Sequence, residues 1–479
     1  MHWRVSSWVT ALSLLATPAL ADWHRIEGTR FVVISDDTER NSRSAIRELE
    51  RFDLVLRQYF NLPTDETTRK LPIYLVSPGD LEALYPGDTN ISGFYASTSE
   101  DIFGAARRRG DLGVLKHEYT HHFLASEWKG ARPAWFNEGF AQYFSTAQFE
   151  GDKVHIGKPP AWSSQSLLAS GWMPLDTLLT ERPIQSDGTV PRTYYPLSWL
   201  LTHWFLKDEA NKAKLERYLA AVTAGTPSVQ AMENSTGLSL DELRRTLSVY
   251  AGSSLGYRTT TLNLEPQLSA LTALPEAADE LLIPLQRLKL GVTAAERTAF
   301  LSRFRTLAAR YPEDSYSLYA LAYAEFRLAD DNGRAEALLQ QLLTKDPHHA
   351  EGQLLLGRIA MAQAERSNNT SQTTEYRAKA QSYFAAAYAT DPNNPFTLSN
   401  LGRNRRFAPS YPSQSDLDVL IAAYEIAPQH PYTALNLAEA LIKLGRWDEA
   451  RGLLLPLVNN PHRANPQAQA LLDQINTRP

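Results

Sequence analysis

The pattern of apolar and polar positions changes character along the chain. In the first hundred residues, short apolar runs alternate with polar turns. Arg30-Phe31-Val32-Val33-Ile34-Ser35 and Leu71-Pro72-Ile73-Tyr74-Leu75-Val76 read as strands. Between them, Ser42 to Phe60 carries Ile46, Leu49, Phe52 and Leu56 at helical spacing. Gly93 to Ser97 and Asp101 to Ala105 read as short strands joined by the polar turn Thr98-Ser99-Glu100. From Asp111, a helix N-cap, the pattern turns helical through Leu112, Leu115, Phe123 and Leu124. Pro133 marks the first turn of a second helix running from Ala134 to Ser145. Helical patterns continue from Pro196 to about Tyr250, and Arg258 to Leu262 reads as a last strand. The stretch Leu274-Pro275-Glu276-Ala277 marks a domain boundary, giving domains over 22–274 and 275–479.

Beyond that boundary the chain repeats. Pro312, Pro347, Pro392, Pro428 and Pro461 are spaced at intervals close to the 34-residue tetratricopeptide period, except for one longer gap. Leu437, Ala438, Leu441, Gly445, Ala450, Leu454 and Leu457 precede Pro461 in the unit that fits best. In the long unit Gly357 is followed by Ala380, Phe384 and Ala387, and the polar run Ser367 to Thr374 is expected as an insertion between paired helices. Residues 280 to 475 resemble tetratricopeptide repeats. Each such unit buries its apolar face only by stacking on its neighbours, and the stack presents a concave surface for a protein partner or substrate.

Composition narrows the class. A chain of 479 residues with 43% apolar residues is long enough for two or three folded domains. The net charge of −5, with signs mixed, gives no sign of nucleic acid as an obligate partner, and none is expected. Arg107-Arg108-Arg109 is a short basic cluster that reads as a solvated loop. Residues 1–21 read as an export signal: Arg4 supplies the positive start, Trp8 to Ala16 an apolar stretch too short to span a bilayer, and Ala19-Leu20-Ala21 a small-residue cleavage site. No stable membrane span is expected after cleavage. The chain has no cysteine, which excludes disulfides and a lipid-modified cysteine and points to a bacterial periplasm or secretion.

The chemistry gathers at 117–138. His117-Glu118-Tyr119-Thr120-His121 places two imidazoles four residues apart on one helix face, a spacing that grips one Zn²⁺. Glu118 lies about 100° round the helix, within reach of a water on the metal but not a ligand. Hydrolytic zinc sites use three protein ligands and keep the fourth position for water. The third must come from elsewhere, and Glu138, in the second turn of the 134–145 helix, is the candidate.

The stretch Trp135-Phe136-Asn137-Glu138-Gly139-Phe140-Ala141 resembles the segment that follows H-E-x-x-H in the aminopeptidase N family. More broadly, the arrangement is similar to the gluzincin, or thermolysin-like and peptidase MA-like, metallopeptidases. The resemblance implies that His117, His121 and Glu138 bind zinc and that Glu118 is general base. Slightly fewer residues separate His121 from Glu138 than in the aminopeptidases, which fits a tighter loop over 126–132. The resemblance also implies a tyrosine that donates to the oxyanion; Tyr195 with Ser198 fits best, with Tyr194 the alternative. His155 and His203 are left outside the set. The aminopeptidases carry G-x-M-E-N upstream of the zinc helix to hold the substrate amine. Here Met232-Glu233-Asn234 lies downstream and lacks the glycine. An endopeptidase is therefore expected, with residues 93 to 105 as a sheet edge for an extended substrate.

The expected architecture is an α+β zincin-like metallopeptidase domain followed by an all-α tetratricopeptide-type helical solenoid. The expected function is an exported zinc endopeptidase acting on peptide or protein, with repeats that bind protein. The alternative is an inactive metal-bearing scaffold whose repeats bind a partner.

Overall fold

In the computed structural model, residues 22–65, 69–87, 91–128, 130, 132–160, 167, 171–184, 189–460 and 465–477 are described. The expected export signal and Pro461 lie outside the described residues. No helix among the described residues is long and apolar enough to cross a membrane.

The N-terminal strands are β1 (His24–Glu27), β2 (Phe31–Ser35), β3 (Leu71–Val76), β4 (Gly93–Ser97) and β5 (Ile102–Arg107). Then follow β6 (Gln148–Glu150), β7 (Lys153–Ile156), β8 (Arg258–Thr261) and β9 (Thr272–Ala273). A mixed sheet runs in the order β4-β5-β3-β2-β1-β9, and a smaller one in the order β6-β7-β8. In the larger sheet β2, β3 and β5 are parallel, while β4 is antiparallel to β5 and, among the described residues, has no strand on its other side. Only 93–97 of the expected 93–105 edge is therefore an edge; β5 is internal, held between β4 and β3. Helix α1 (Glu39–Phe60) covers the sheet with Ile46, Leu49, Phe52, Val55 and Leu56 fully buried, each worth about 1.5–3 kcal/mol. Thr38 caps its start, and Asn61 ends it in the left-handed conformation at φ 54°.

After α2 (Pro78–Leu84) come α3 (Gly113–Glu127) and α4 (Ala134–Ser145). Asp111 does not sit at the cap, which is Leu112, but its carboxylate accepts from the Gly113 amide at 2.9 Å. Helices α5 (Leu175–Thr180), α6 (Tyr194–Leu206), α7 (Glu209–Thr223), α8 (Ser228–Thr236) and α9 (Leu240–Ala251) complete this part.

The remainder is helical throughout: α10 (Ala278–Leu290), α11 (Arg297–Ala308), α12 (Ser315–Leu328), α13 (Gly333–Lys345), α14 (Ala350–Arg366), α15 (Thr370–Thr390), α16 (Pro395–Arg405), α17 (Gln414–Ile426), α18 (Pro431–Lys443), α19 (Trp447–Val458) and α20 (Pro466–Asn476). Pro312, Pro347, Pro392 and Pro428 each follow the second helix of a pair. Small residues let paired helices touch. A methyl on Gly357 of α14 would lie 2.3 Å from the Phe384 ring of α15.

The long unit departs from the expected loop insertion. Its surplus is extra helix, because Thr370 to Thr374 form the first turn of α15. Asn369 caps that turn by accepting from the Gln372 amide at 3.1 Å, and Thr373 and Thr374 return their hydroxyls to carbonyls four residues back. A polar run is compatible with a helix that faces water on all but one narrow stripe.

The boundary near residue 274 falls between two elements that both pack on the sheet. β9 pairs with β1, and Ala278 and Leu282 of α10 share an apolar cluster with Trp23, Tyr74, Val76, Leu81 and Phe103. Gln286 of α10 also donates to the Tyr74 hydroxyl at 2.5 Å. Helix α10 thus belongs to the sheet as much as to the repeats.

Candidate metal centre

Helix α3 is fixed in roll by residues between and just before its histidines. Tyr119 donates to Asp53 of α1 at 2.6 Å, and Lys116 reaches the Ala147 carbonyl at 3.1 Å and Glu48 at 2.6 Å. Leu115, Phe123 and Leu124 are buried beside them. With that face turned inward, His117 and His121 are directed toward α4. Helix α4 is anchored in turn by Trp135, whose indole donates to Tyr218 of α7 at 2.9 Å.

The three candidate ligands come together. His117 Nε2 lies 3.2 Å from His121 Nε2, and Glu138 Oε2 lies 3.5 and 3.6 Å from these two nitrogens. Three ligands about 2.0–2.1 Å from one ion in tetrahedral array would stand about 3.4 Å apart. The donor set therefore fits a zinc-sized ion in both chemistry and spacing, and it is the group of such residues found among the described ones. The Glu138 side chain is fully buried, and the histidine side chains are 15% and 12% exposed, which leaves an opening on the histidine side.

Glu138 reaches this point because its neighbour is glycine. A methyl on Gly139 would lie 2.2 Å from the Ser198 carbonyl oxygen and 2.3 Å from Thr202 Oγ1, both on α6. Only glycine lets α4 and α6 approach this closely.

Tyr195 lies within electrostatic reach of both Glu138 and Glu118. Burial raises the Tyr195 hydroxyl pKa, and the charges of Glu138 and Glu118 raise it further. The hydroxyl is therefore a proton-bearing donor at neutral pH. Tyr194 is fully buried, and its hydroxyl donates to the Glu181 carbonyl at 3.1 Å. Of the two tyrosines, only Tyr195 remains partly open beside the carboxylates. His155 bonds Thr259, and His203 bonds Tyr250 and the Gly256 carbonyl, so both have structural partners.

One neighbour has no signal in the motif. His122 is held down to about 3 by burial, then by Arg69 and Arg57, and is neutral. Its Nδ1 pairs with the Tyr95 hydroxyl of β4 at 3.0 Å. The metal helix is thereby tied to the edge strand. The pair of adjacent histidines at 121–122 is the only hint the sequence offers.

Residues 417–475 match a family model described as tetratricopeptide repeat. They span α17 to α20, the region whose small and apolar spacing fits the period best. The matched stretch is tetratricopeptide-like, and the helices that precede it continue as helical repeats of the same paired kind. Among solved structures, the chain is similar to a thermophilic tetratricopeptide repeat protein of Thermus thermophilus, at 19% identity and a TM-score of 0.36, covering 42% of this chain and 100% of that one. No curated protein matches.

Proposed function

We propose that the chain is an exported zinc metallopeptidase of the gluzincin type, with a zincin-like first part and an endopeptidase action on extended polypeptide. The observation that carries this reading is the convergence of His117, His121 and Glu138 at tetrahedral spacing, with Glu118 one residue from the first ligand. Zinc held there would polarise the scissile carbonyl and lower the pKa of water. Glu118 takes the proton from the attacking water and returns it to the leaving amine. Tyr195, kept protonated by burial and by two carboxylates, donates to the oxygen that gains charge in the tetrahedral intermediate. The edge strand β4 offers main-chain groups to a substrate lying along it.

A second reading makes the repeats the working part and the first domain an inactive metal-bearing scaffold. The repeat match over 417–475 favours it. The presence of Glu118 speaks against it, because a scaffold needs the ligands but not the base.

The deciding experiment is metal analysis of the purified protein with hydrolysis of an unfolded casein-like substrate. We expect one zinc per chain, lost in His117→Ala and His121→Ala. Glu118→Gln is expected to keep zinc and fold while hydrolysis drops roughly 10²- to 10⁴-fold. A wild-type protein that holds zinc yet cleaves nothing supports the scaffold. A protein without zinc, whose histidine variants behave as wild type, removes both readings.

A further inference from the structure

The repeats hold a segment of their own chain. The turn between β4 and β5 is closed on itself: the Thr98 amide donates to the Asp101 carbonyl at 2.9 Å, and Thr98 Oγ1 accepts from the Glu100 and Asp101 amides at 3.1 Å. Its tip carries Glu100, whose side chain is 3% exposed although it belongs to a polar turn. Four donors from the repeats fill that carboxylate. Arg358 of α14 makes two parallel bonds at 2.7 and 2.8 Å, Arg327 of α12 one at 2.8 Å, and the Tyr323 hydroxyl one at 2.6 Å. Burial alone would raise the Glu100 pKa; Arg358, with Tyr323 and Arg327, outweighs it and holds the carboxyl far below its usual range.

The grip extends beyond Glu100. Lys289 of α10 meets Asp101 at 2.8 Å. His430, just before α18, donates to the Thr98 carbonyl at 2.8 Å, and Ser97 donates to the Gln429 carbonyl at 3.3 Å. Residues 97 to 101 are thus held by positions running from 289 to 430, most of the length of the solenoid. The held segment is the end of β4, the strand at the sheet edge among the described residues, with Tyr95 tied to His122 beside the metal motif.

We infer that the repeats act on their own chain: Arg327, Tyr323 and Arg358 form a carboxylate latch for the β4–β5 turn, and Glu100 is a positioning residue that fixes the edge strand beside the metal helix. A single edge strand has ladder bonds on one side only and frays readily. Anchoring its end to a rigid stack removes that freedom, so main-chain groups that receive a substrate are already in place. The consequence for substrate rests on the peptidase reading. The anchoring of β4 does not.

The test uses the full chain with Glu100→Gln, a near-isosteric change that removes the charge, and follows amide exchange over 93–97. Loss of charge-assisted bonds should speed exchange there about tenfold or more, with α3 unchanged. In the protease assay, KM for unfolded casein should rise about threefold or more, with kcat and zinc content unchanged. Should Glu100→Gln fail to fold because Arg358 is left buried without its partner, the double variant E100Q/R358Q removes both charges and carries the same expectation. Unchanged exchange over 93–97 in a folded variant overturns the latch. Absence of hydrolysis in the wild type overturns the peptidase reading alone, since exchange still reports on the strand.

Discussion

Replacing Gly139 with alanine adds one methyl group at the closest approach of α4 and α6. That carbon would stand 2.2 Å from the Ser198 carbonyl oxygen and 2.3 Å from Thr202 Oγ1. Close carbon–oxygen contacts settle near 3.3 Å, so the helices must part by about 1 Å. Neither obstacle is the far end of a flexible chain; one is helix backbone. Overpacking of this kind costs about 1–3 kcal/mol. The larger effect falls on the adjacent residue. Metal–ligand distances tolerate about 0.2 Å, so a shift of about 1 Å takes the Glu138 carboxylate out of range of the histidines. We expect zinc affinity to fall by about 100-fold or more, which removes roughly 2.7 kcal/mol of zinc-induced stabilisation at a fixed excess of metal. Competition against a chromogenic chelator gives the affinity, and thermal unfolding with and without zinc gives the stabilisation. Gly452→Ala is the matched control. Gly452 lies exposed within α19 with nothing within 4 Å of the added carbon, so the same substitution should stabilise by about 0.5–1 kcal/mol. A Gly139→Ala protein that binds zinc within twofold of wild type and melts at the same temperature would refute the argument that this contact positions Glu138.

Other consequences can be measured independently. Tyr195→Phe should lower kcat by about 10²–10³-fold with zinc retained, whereas Tyr194→Phe should cost about 1 kcal/mol of stability through its lost bond to Glu181 and leave kcat alone; equal effects would undo the assignment. Glu50 is buried and its carboxyl is raised to about 7 by desolvation, against the Arg30 and Phe31 amides that favour the charged form. The folded protein therefore binds this proton more tightly than the unfolded chain, so stability should fall as pH rises from about 4.5 to 7 and then level off. Glu50→Gln should flatten that slope and stabilise at pH 8 by at most about 3 kcal/mol; denaturant melts across pH check it, and an unchanged slope would remove Glu50 as its source. A chain ended after Gly291, which keeps α10, should fold and hold zinc. One ended at Leu274 should melt lower, because Trp23, Tyr74 and Phe103 lose their cover, and equal melting of the two would show that α10 adds nothing. An N-acetylated peptide should be cleaved as well as its free-amine counterpart, and loss of single residues from only the free peptide would indicate an aminopeptidase.

What could be read from the chain by itself was local. Strand β3 and helix α4 stand at the predicted residues because a short apolar run and a proline-led helix are set by nearest-neighbour sterics and spacing. The pairing of His117 with His121 follows from helical pitch alone, and the nearby glutamate needed only a second helix close in sequence. The rest depends on residues that are distant along the chain. Strand β9 is short, carries no strong apolar signal, and pairs with β1 across some 250 residues. Ser367 to Thr374 looked like a loop by composition, yet an N-cap and back-bonded threonines keep Thr370 onward helical. Glu100 looked like a solvated turn residue, and only the wrapping of the repeats brings Arg327, Tyr323 and Arg358 to it. Gly139 reads as a weak point within a helix until Ser198 arrives from sixty residues away. Periodicity specifies which face of each element is apolar; what that face meets, and which buried charges find partners, is decided when the elements pack.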